Sequence, residues 1–112
     1  MAPVETIQPG IAVLRHEGEL TSATSPVFSL QLGEALAAQH RLIVVDMSAA
    51  SFVDSSGLGA LIAGLKQARA VGIRLVLAGL QEQAALIFRV TTAHKLFEIF
   101  PSVEAALEGR EA

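Results

Sequence analysis

Apolar residues along this chain recur with two spacings, and the two spacings alternate from the amino to the carboxyl terminus. Leu42 to Asp46 is a run of β-branched and aliphatic residues closed by a carboxylate, which is typical of a strand buried on both faces. On either side of this run, apolar residues return every three or four positions, which is typical of helices that cover a sheet. The pattern therefore predicts an α/β fold with a mostly parallel sheet.

Turn and cap signals set the expected bounds. Ser25 before Pro26 predicts a helix start with the serine as N-cap, and Gly72 predicts the C-cap of a second helix. We expect strands at about residues 4–7, 11–15, 42–46, 73–78 and 96–100, with the strand at 42–46 in the centre of the sheet. We expect helices at about residues 25–39, between 54 and 72, at 81–91 and at 102–108. A turn at residues 17–19 and a loop at 47–54 separate elements. The fold class is thus a mixed, mostly parallel sheet of four to five strands covered by about four helices.

Size and composition bound the architecture and the compartment. The 112 residues suit one domain, 1–112 with a core at about 4–108, and 52% hydrophobic residues with a mean hydropathy of +0.52 predict a real core. No charged leader precedes an apolar stretch, and the longest apolar run is far shorter than the roughly 20 residues that span a bilayer. With no cysteine present, disulfides are excluded. We expect a cytoplasmic protein without a membrane partner.

Charge and aromatic content exclude nucleic acid as a partner. The net charge is −3, and the eight Lys and Arg residues are scattered, so no basic patch is available for phosphate backbones. The chain has neither Trp nor Tyr, and its five Phe residues occupy apolar positions, so a platform for stacking single-stranded bases is not expected.

The most informative segment is Ser51–Gly59, which joins the predicted central strand to the second helix. Gly57, Gly59 and Gly64 lie in the first turns of that helix, where each costs about 1 kcal/mol relative to alanine, so we expect a close approach to the backbone there. Asp54–Ser56 place a carboxylate and two hydroxyls where helix N–H groups are unpaired. These polar residues have two interpretations, a helix cap and a functional site.

Motifs of common enzyme sites fail at specific positions. A phosphate loop from Gly59 to Gly64 would need Lys where Leu65 stands, and a dinucleotide fingerprint would need a small residue at Ile62. A serine hydrolase would need glycine in place of Val53. Three histidines lie far apart and are expected in surface or capping roles: His16, His40 and His94. We therefore expect no enzyme, no metal site and no cofactor.

Two further positions keep two interpretations each. Asp46 and Asp54 flank the predicted loop and could hold a divalent ion or orient the nucleotide chemistry of a partner, but the residues favour a local role in which Asp46 closes a turn through Ser48 or nearby amides. Thr21 and Ser22 could contact a partner, or could cap a turn before the first helix.

The segment Phe52–Gly59, the buried strand ending in Asp46, and Gly18-Glu19-Leu20 together resemble the bacterial anti-sigma-factor antagonists of the STAS domain family, over about residues 4–108. The resemblance implies that Ser55 is phosphorylated, with Ser56 as the second candidate, by a partner that is both serine kinase and anti-sigma factor. A serine phosphatase would reverse the modification. The residues implied or considered as partner contacts are Thr21, Ser22, Asp46, Asp54, Ser55, Ser56, Gly57 and Leu58.

One departure and one alternative accompany this resemblance. Antagonists of this type usually follow Gly-Glu-Leu with aspartate, where this chain has Thr21. The STAS family also includes scaffold subunits of stress-sensing complexes and subunits of transport complexes, which lack a phosphoswitch. On physical grounds, a phosphate at a helix N-terminus should leave the fold intact and prevent binding to a surface shaped for a neutral hydroxyl. No heptad pattern argues for self-association, so a monomer is expected.

Overall fold

The computed structural model describes residues 4–109, and within them lie five strands, four α-helices and one 3-10 turn. The strands are β1 (Val4–Gln8), β2 (Ile11–Leu20), β3 (Leu42–Val53), β4 (Arg74–Ala78) and β5 (Ile99–Phe100). The helices are α1 (Ser25–Ala37), α2 (Ser55–Ala70), α3 (Glu82–Val90) and α4 (Val103–Glu108), and the 3-10 turn covers Ala93–Lys95. The predicted α/β class is confirmed.

The strands form one sheet in the order β1-β2-β3-β4-β5, so that each strand pairs with its neighbour in the sequence. β1 is antiparallel to β2, and the other three pairs are parallel. β3 lies in the middle, which confirms the prediction for the run beginning at Leu42. The sheet is therefore mixed and mostly parallel, as expected.

Alternate residues of the strands pack against helices on opposite faces of the sheet. On one face, residues such as Leu14 and Val45 form a large core with α1, α2 and α3. On the other face, residues such as Val13 and Val44 form a smaller core whose only α-helical contributions, among residues 4–109, come from α4. Because α4 is short, this second face is covered less completely than the first.

The largest difference from the sequence prediction concerns the lengths of β2 and β3. The predicted turn at residues 17–19 is wrong, because β2 continues to Leu20 and Gly18 adopts a φ of +85° within the strand. The predicted loop at 47–54 is also wrong, since β3 continues to Val53. β4 pairs only with Leu42–Asp46, so Met47–Val53 extends beyond it. We call Met47–Val53 the overhang.

The overhang pairs with β2 through two irregularities. From Asp46 to Ala49 the strand β3 advances three positions while β2 advances only two, from Arg15 to Glu17, and the same mismatch recurs between Ala49 and Phe52. Each extra residue is a β-bulge, which bends the strand and shifts its side chains. The buried residues of the overhang are consequently Met47, Ala50 and Val53, at a spacing of three.

Smaller differences concern the ends of elements. Thr24, not Ser25, is the N-cap of α1, and Val71, not Gly72, is the C-cap of α2. Only Ile99–Phe100 of the predicted last strand is β-structure, because the chain turns and bends at Leu96 and Phe97, directly after the 3-10 turn. Ser102 is the N-cap of α4, since its hydroxyl accepts the N–H of Ala105 at 3.0 Å.

Candidate functional site

The N-terminus of α2 carries an exposed pair of serines behind a capping carboxylate. Asp54 has extended backbone angles, and its Oδ1 accepts the N–H of Gly57 at 2.8 Å, so the capping interpretation is confirmed. Ser55 and Ser56 occupy the first two helical positions, and both are exposed. A cap and a functional site are compatible here, because the cap uses Asp54 and leaves the two serines accessible.

The end of β2 packs against the first turn of α2. A Cβ atom on Gly57 would overlap the carbonyl oxygen of Leu20, so no larger residue fits without a shift of the backbone. The same carbonyl oxygen accepts the N–H of Asp54 at 3.3 Å. The expected close approach is thus confirmed at Gly57. It is wrong at Gly59, which faces open space, while Gly64 makes room for the side chain of Leu32.

The loop after β2 is tied by its own threonine hydroxyls. Thr21 Oγ1 accepts the N–H of Ala23 at 3.2 Å, and the N–H of Thr21 donates to Thr24 Oγ1 at 2.9 Å. Thr24 Oγ1 donates in turn to the carbonyl of Glu19 at 2.8 Å. Thr21 therefore caps a turn, which was one of its two interpretations. Since Leu20 contacts the first turn of α2, the loop places Thr21 and exposed Ser22 beside the serine pair.

Two glutamine side chains bind the edge of the overhang that β4 leaves uncovered. Gln83 of α3 accepts the N–H of Val53 at Oε1 and donates from Nε2 to the carbonyl of Val53, each at 2.8 Å. Gln81 Nε2 donates to the carbonyl of Ser48 at 2.7 Å. The sequence analysis missed both residues. The signal that could have identified them is a pair of amides two positions apart at a helix start, which only the length of β3 makes meaningful.

Asp46 does not join this site. It lies on the face of the sheet that α4 covers, where its Oδ1 accepts the N–H of Ser48 at 3.0 Å and its Oδ2 lies 4.0 Å from Arg15 Nη1. The seven strand residues Met47–Val53 separate it from Asp54, which corresponds to roughly 20 Å or more. The bond to Ser48 confirms the local interpretation of Asp46. A shared ion site is excluded by this separation, and residues 4–109 contain no cluster of metal-ligating side chains.

The three histidines donate to nearby backbone carbonyl oxygens. His16 Nε2 lies 2.8 Å from the carbonyl of Glu19, and its ring packs edge-on against Phe28. His40 and His94 bind the ends of α1 and α3 in a similar way, through the carbonyls of residues 35 and 88. The prediction of surface or capping roles is confirmed for His40 and His94, and it is wrong for His16, which is buried within β2.

The electrostatic surroundings of Ser55 come mainly from the helix itself. The first three turns of α2 contain no Lys or Arg, and Lys66 lies eleven residues further along the helix, about 16 Å away at 1.5 Å per residue. Unpaired N–H groups and the positive end of the helix dipole face Ser55, while Asp54 supplies a negative charge beside it. An anion on Ser55 would therefore be stabilised by the backbone without a cation from α2.

Not every residue predicted to contact a partner is accessible. Gly57 and Leu58 are buried, and Leu58 belongs to the core beneath α2. The exposed or half-buried residues around the serine pair are Thr21, Ser22, Asp54, Ser55 and Ser56. We call these five residues the serine surface.

No helix in residues 4–109 is long and apolar enough to cross a bilayer.

Comparisons with known proteins agree with the resemblance found in the sequence. The model of the STAS domain family matches residues 2–106. The anti-sigma-B factor antagonist of Listeria monocytogenes is 28% identical over 95 residues, which cover 85% of this chain and 82% of that protein. An anti-sigma factor antagonist from Mycobacterium paratuberculosis has a similar structure, with a TM-score of 0.81, 25% identity, and coverage of 97% of this chain and 92% of that chain. The Bacillus cell fate determinant SpoIIAA in its phosphorylated form has the same fold, with a TM-score of 0.73, 21% identity, and coverage of 94% and 95%.

Proposed function

Because the chain belongs to the STAS domain family, we propose that it is a phosphorylation-controlled anti-sigma-factor antagonist. The unphosphorylated chain binds an anti-sigma factor that is also a serine kinase, and thereby frees the sigma factor. Phosphorylation of Ser55 ends this binding, and a serine phosphatase restores it. The chain acts in the cytoplasm as a monomer, through binding and without catalysis, cofactor, nucleic acid or membrane.

The observation that carries the proposal is the exposure of Ser55 at the first position of α2, directly behind the cap formed by Asp54. A kinase active site can reach this hydroxyl, whereas a hydroxyl engaged in the cap would be unavailable. Ser56 is also exposed and is the second candidate. The relatives named anti-sigma factor antagonists support the choice of partner class.

The modification is a phosphoryl transfer from ATP supplied by the partner kinase. A bond forms between Ser55 Oγ and the γ-phosphorus, and the bond from that phosphorus to the bridging β–γ oxygen breaks. ADP leaves, and the hydroxyl proton passes to a base of the kinase. The product carries a charge of about −1.5 to −2 at neutral pH, where the hydroxyl carried none.

The fold tolerates this charge, but the complex does not. Helix N–H groups stabilise the phosphate in the free chain, so the free energy of unfolding changes little. In the complex, the phosphate stands beside the carboxylate of Asp54 and loses water against a surface made for a hydroxyl. Shifting occupancy from nearly complete to nearly nil needs about 5.5 kcal/mol, which desolvation of an unpaired phosphate can supply.

The first experiment locates the phosphate in the protein purified from its source cells. The tryptic peptide from Leu42 to Lys66 contains Ser48, Ser51, Ser55 and Ser56, so fragmentation within it identifies the modified residue. We expect phosphate on Ser55 in an amount that varies with growth conditions. Its absence under every condition would favour a STAS scaffold or transport-complex subunit without a phosphoswitch.

A binding experiment separates charge at Ser55 from charge in general. The variants Ser55→Asp and Ser29→Asp both add one carboxylate at an exposed helical serine, and Ser29 lies on α1. We expect both variants to stay folded, and only Ser55→Asp to lose the ATP-dependent serine kinase that copurifies with the unmodified chain. Unfolding of Ser55→Asp, or retention of the kinase by this variant, contradicts the proposal.

A further inference from the structure

The overhang of β3 has backbone groups on the side of β4 that no strand of residues 4–109 covers. β4 ends at Ala78, opposite Asp46, while β3 continues to Val53. Backbone N–H and C=O groups at such an edge need another hydrogen-bond partner, and water does not readily reach the groups of a buried residue. The side chain of Val53 is fully buried, so its backbone groups need a hydrogen-bond partner within the protein. Val53 directly precedes Asp54 and Ser55 in the chain.

Gln83 supplies both partners that Val53 needs. Its carboxamide donates to the carbonyl and accepts from the N–H of the same residue, at 2.8 Å in each direction. A neighbouring strand would offer the backbone a similar donor and acceptor. Gln83 thus takes the place of a missing strand at one residue.

We propose that Gln83 is a positioning residue for Ser55, a role that rests on the proposed function of that serine as the phosphorylation site. Gln83 holds Val53 from the α3 side, and the carbonyl of Leu20 holds the N–H of Asp54 from the β2 side. The peptide that leads into Ser55 is therefore fixed at both edges. This fixes Asp54 as the cap and sets the direction in which the hydroxyl of Ser55 faces a kinase.

The chemistry of the amide makes the role specific to glutamine. Glutamate at 83 could still accept the N–H of Val53, but its carboxylate could not donate to the carbonyl and would repel it. Alanine would remove both bonds and leave the edge to water. Both variants would keep all five residues of the serine surface, because Gln83 is not one of them.

Gln81 provides a matched control on the same helix start and the same strand edge. It donates one hydrogen bond to the carbonyl of Ser48, five residues before Val53, and its side chain does not cap α3. Gln81→Ala therefore reports the general cost of removing a glutamine contact from the overhang. An effect of Gln83→Ala that is larger than the effect of Gln81→Ala is therefore attributed to the position of Val53 directly before Asp54 and Ser55.

The experiment compares Gln83→Ala, Gln83→Glu and Gln81→Ala with the unchanged chain in two measurements. Amide hydrogen exchange by NMR follows the N–H groups of Val53 and Gly57, and urea unfolding verifies that each variant is folded. In parallel, source-cell lysate with ATP is used to measure the initial rate of phosphorylation at Ser55 over a range of chain concentrations. The dependence of the rate on chain concentration gives two separate quantities, the concentration at half-saturation and the maximal rate of phosphorylation.

We expect Gln83→Ala to speed amide exchange at Val53 and Gly57 by about tenfold or more. Local opening of this segment becomes easier, because the two hydrogen bonds to Gln83 no longer have to break. The maximal phosphorylation rate should fall by about tenfold or more with little change in half-saturation, because a misplaced hydroxyl affects transfer more than binding. Gln83→Glu should lie between, and Gln81→Ala should stay within about twofold of the unchanged chain in both measurements.

The two measurements distinguish the failure of this inference from the failure of the proposed function. Unchanged exchange at Val53 and Gly57 in Gln83→Ala overturns the positioning role, as does an equal fall in phosphorylation for Gln81→Ala. If the unchanged chain is not phosphorylated at Ser55, the proposed function fails and with it the role of Gln83 toward a kinase.

Discussion

The two parts of β3 are held in the structure by different interactions. Leu42–Asp46 lies between β2 and β4, with strands on both edges and a core on both faces. Met47–Val53 has a strand on one edge, glutamine side chains on the other, and two bulges along its length. The first part provides the framework of the sheet, and the second part carries the end of the strand to the serine surface.

The difference shows how burial and individual hydrogen bonds are divided along a single strand. Burial on both faces makes the hydrophobic effect the main source of stability in the first part. The overhang buries three of its seven residues and depends on individual hydrogen bonds for the rest. The proposed partner site gains from this arrangement, because its outer side chains stay available.

The largest expected difference between the two parts concerns the loss of a side chain. Ile43 is fully buried in the first part, while Phe52 in the overhang is 41% exposed. We expect Ile43→Ala to lower the free energy of unfolding by about 3.5 kcal/mol, because it leaves a cavity in the core. Phe52→Ala should cost about 1 kcal/mol, because 41% of the Phe52 surface is already in contact with water in the folded chain and less apolar area is lost. Urea denaturation of both variants measures the two values. Equal costs would show that the overhang is packed as tightly as the sheet.

A smaller effect is expected where the overhang meets α2. Gly57→Ala should lower the free energy of unfolding by about 2 kcal/mol or more, because its Cβ overlaps the carbonyl of Leu20 and forces a backbone shift. Gly59→Ala, two residues further along the helix, faces open space and should raise stability by about 0.5 to 1 kcal/mol. Thermal unfolding monitored by circular dichroism resolves opposite signs. A stabilising Gly57→Ala would contradict the close contact between β2 and α2.

The smallest effect concerns acid stability at the other end of the first part of β3. Arg74 pairs in register with Leu42, and its guanidinium donates two hydrogen bonds to Glu98, at 2.6 and 2.8 Å. The hydrogen bond from Arg74 lowers the pKa of Glu98 below its ordinary value of 4.5. The folded state therefore gains stability from this pair above pH 4.5 and loses it as the pH falls through the lowered pKa.

The size of that effect is limited by solvent. The side chain of Glu98 is 48% exposed, so screening reduces the contribution of the pair to about 0.5 kcal/mol or less. We expect Glu98→Gln to remove this part of the loss in stability below pH 4.5, as measured by urea unfolding at pH 7 and pH 3. A larger loss in the variant than in the unchanged chain would reverse the sign and contradict the assignment.

The fold was predictable where hydrophobic spacing follows the ideal period of an element. The run Leu42–Asp46 and the helical spacing in α2 indicated the right elements, and the structure confirms the order of strands and helices. The overhang was not predictable in this way. Its buried residues, Met47, Ala50 and Val53, are three apart because of the bulges, and such a spacing resembles neither a strand nor a long helix.

The candidate site was predictable in part for a related reason. Asp54 and the serines lie within one short segment, so their role at the start of a helix could be inferred from local sequence. Gln83 lies 30 residues from Val53 along the chain, and nothing local links the two. Asp46 was grouped with Asp54 because a loop would have brought them together, and the actual strand keeps them apart.

The sequential order of the strands bears on how the chain assembles during its synthesis. Every strand pairs with the one that precedes it, and the helix between two parallel strands covers their common face. Partners separated by short stretches of chain lose little entropy on meeting, so each new strand can join an existing edge soon after it leaves the ribosome. The support from α3 arrives later than Ser55 itself, so the proposed phosphorylation site attains its final shape only when the third crossover helix has been translated and docked.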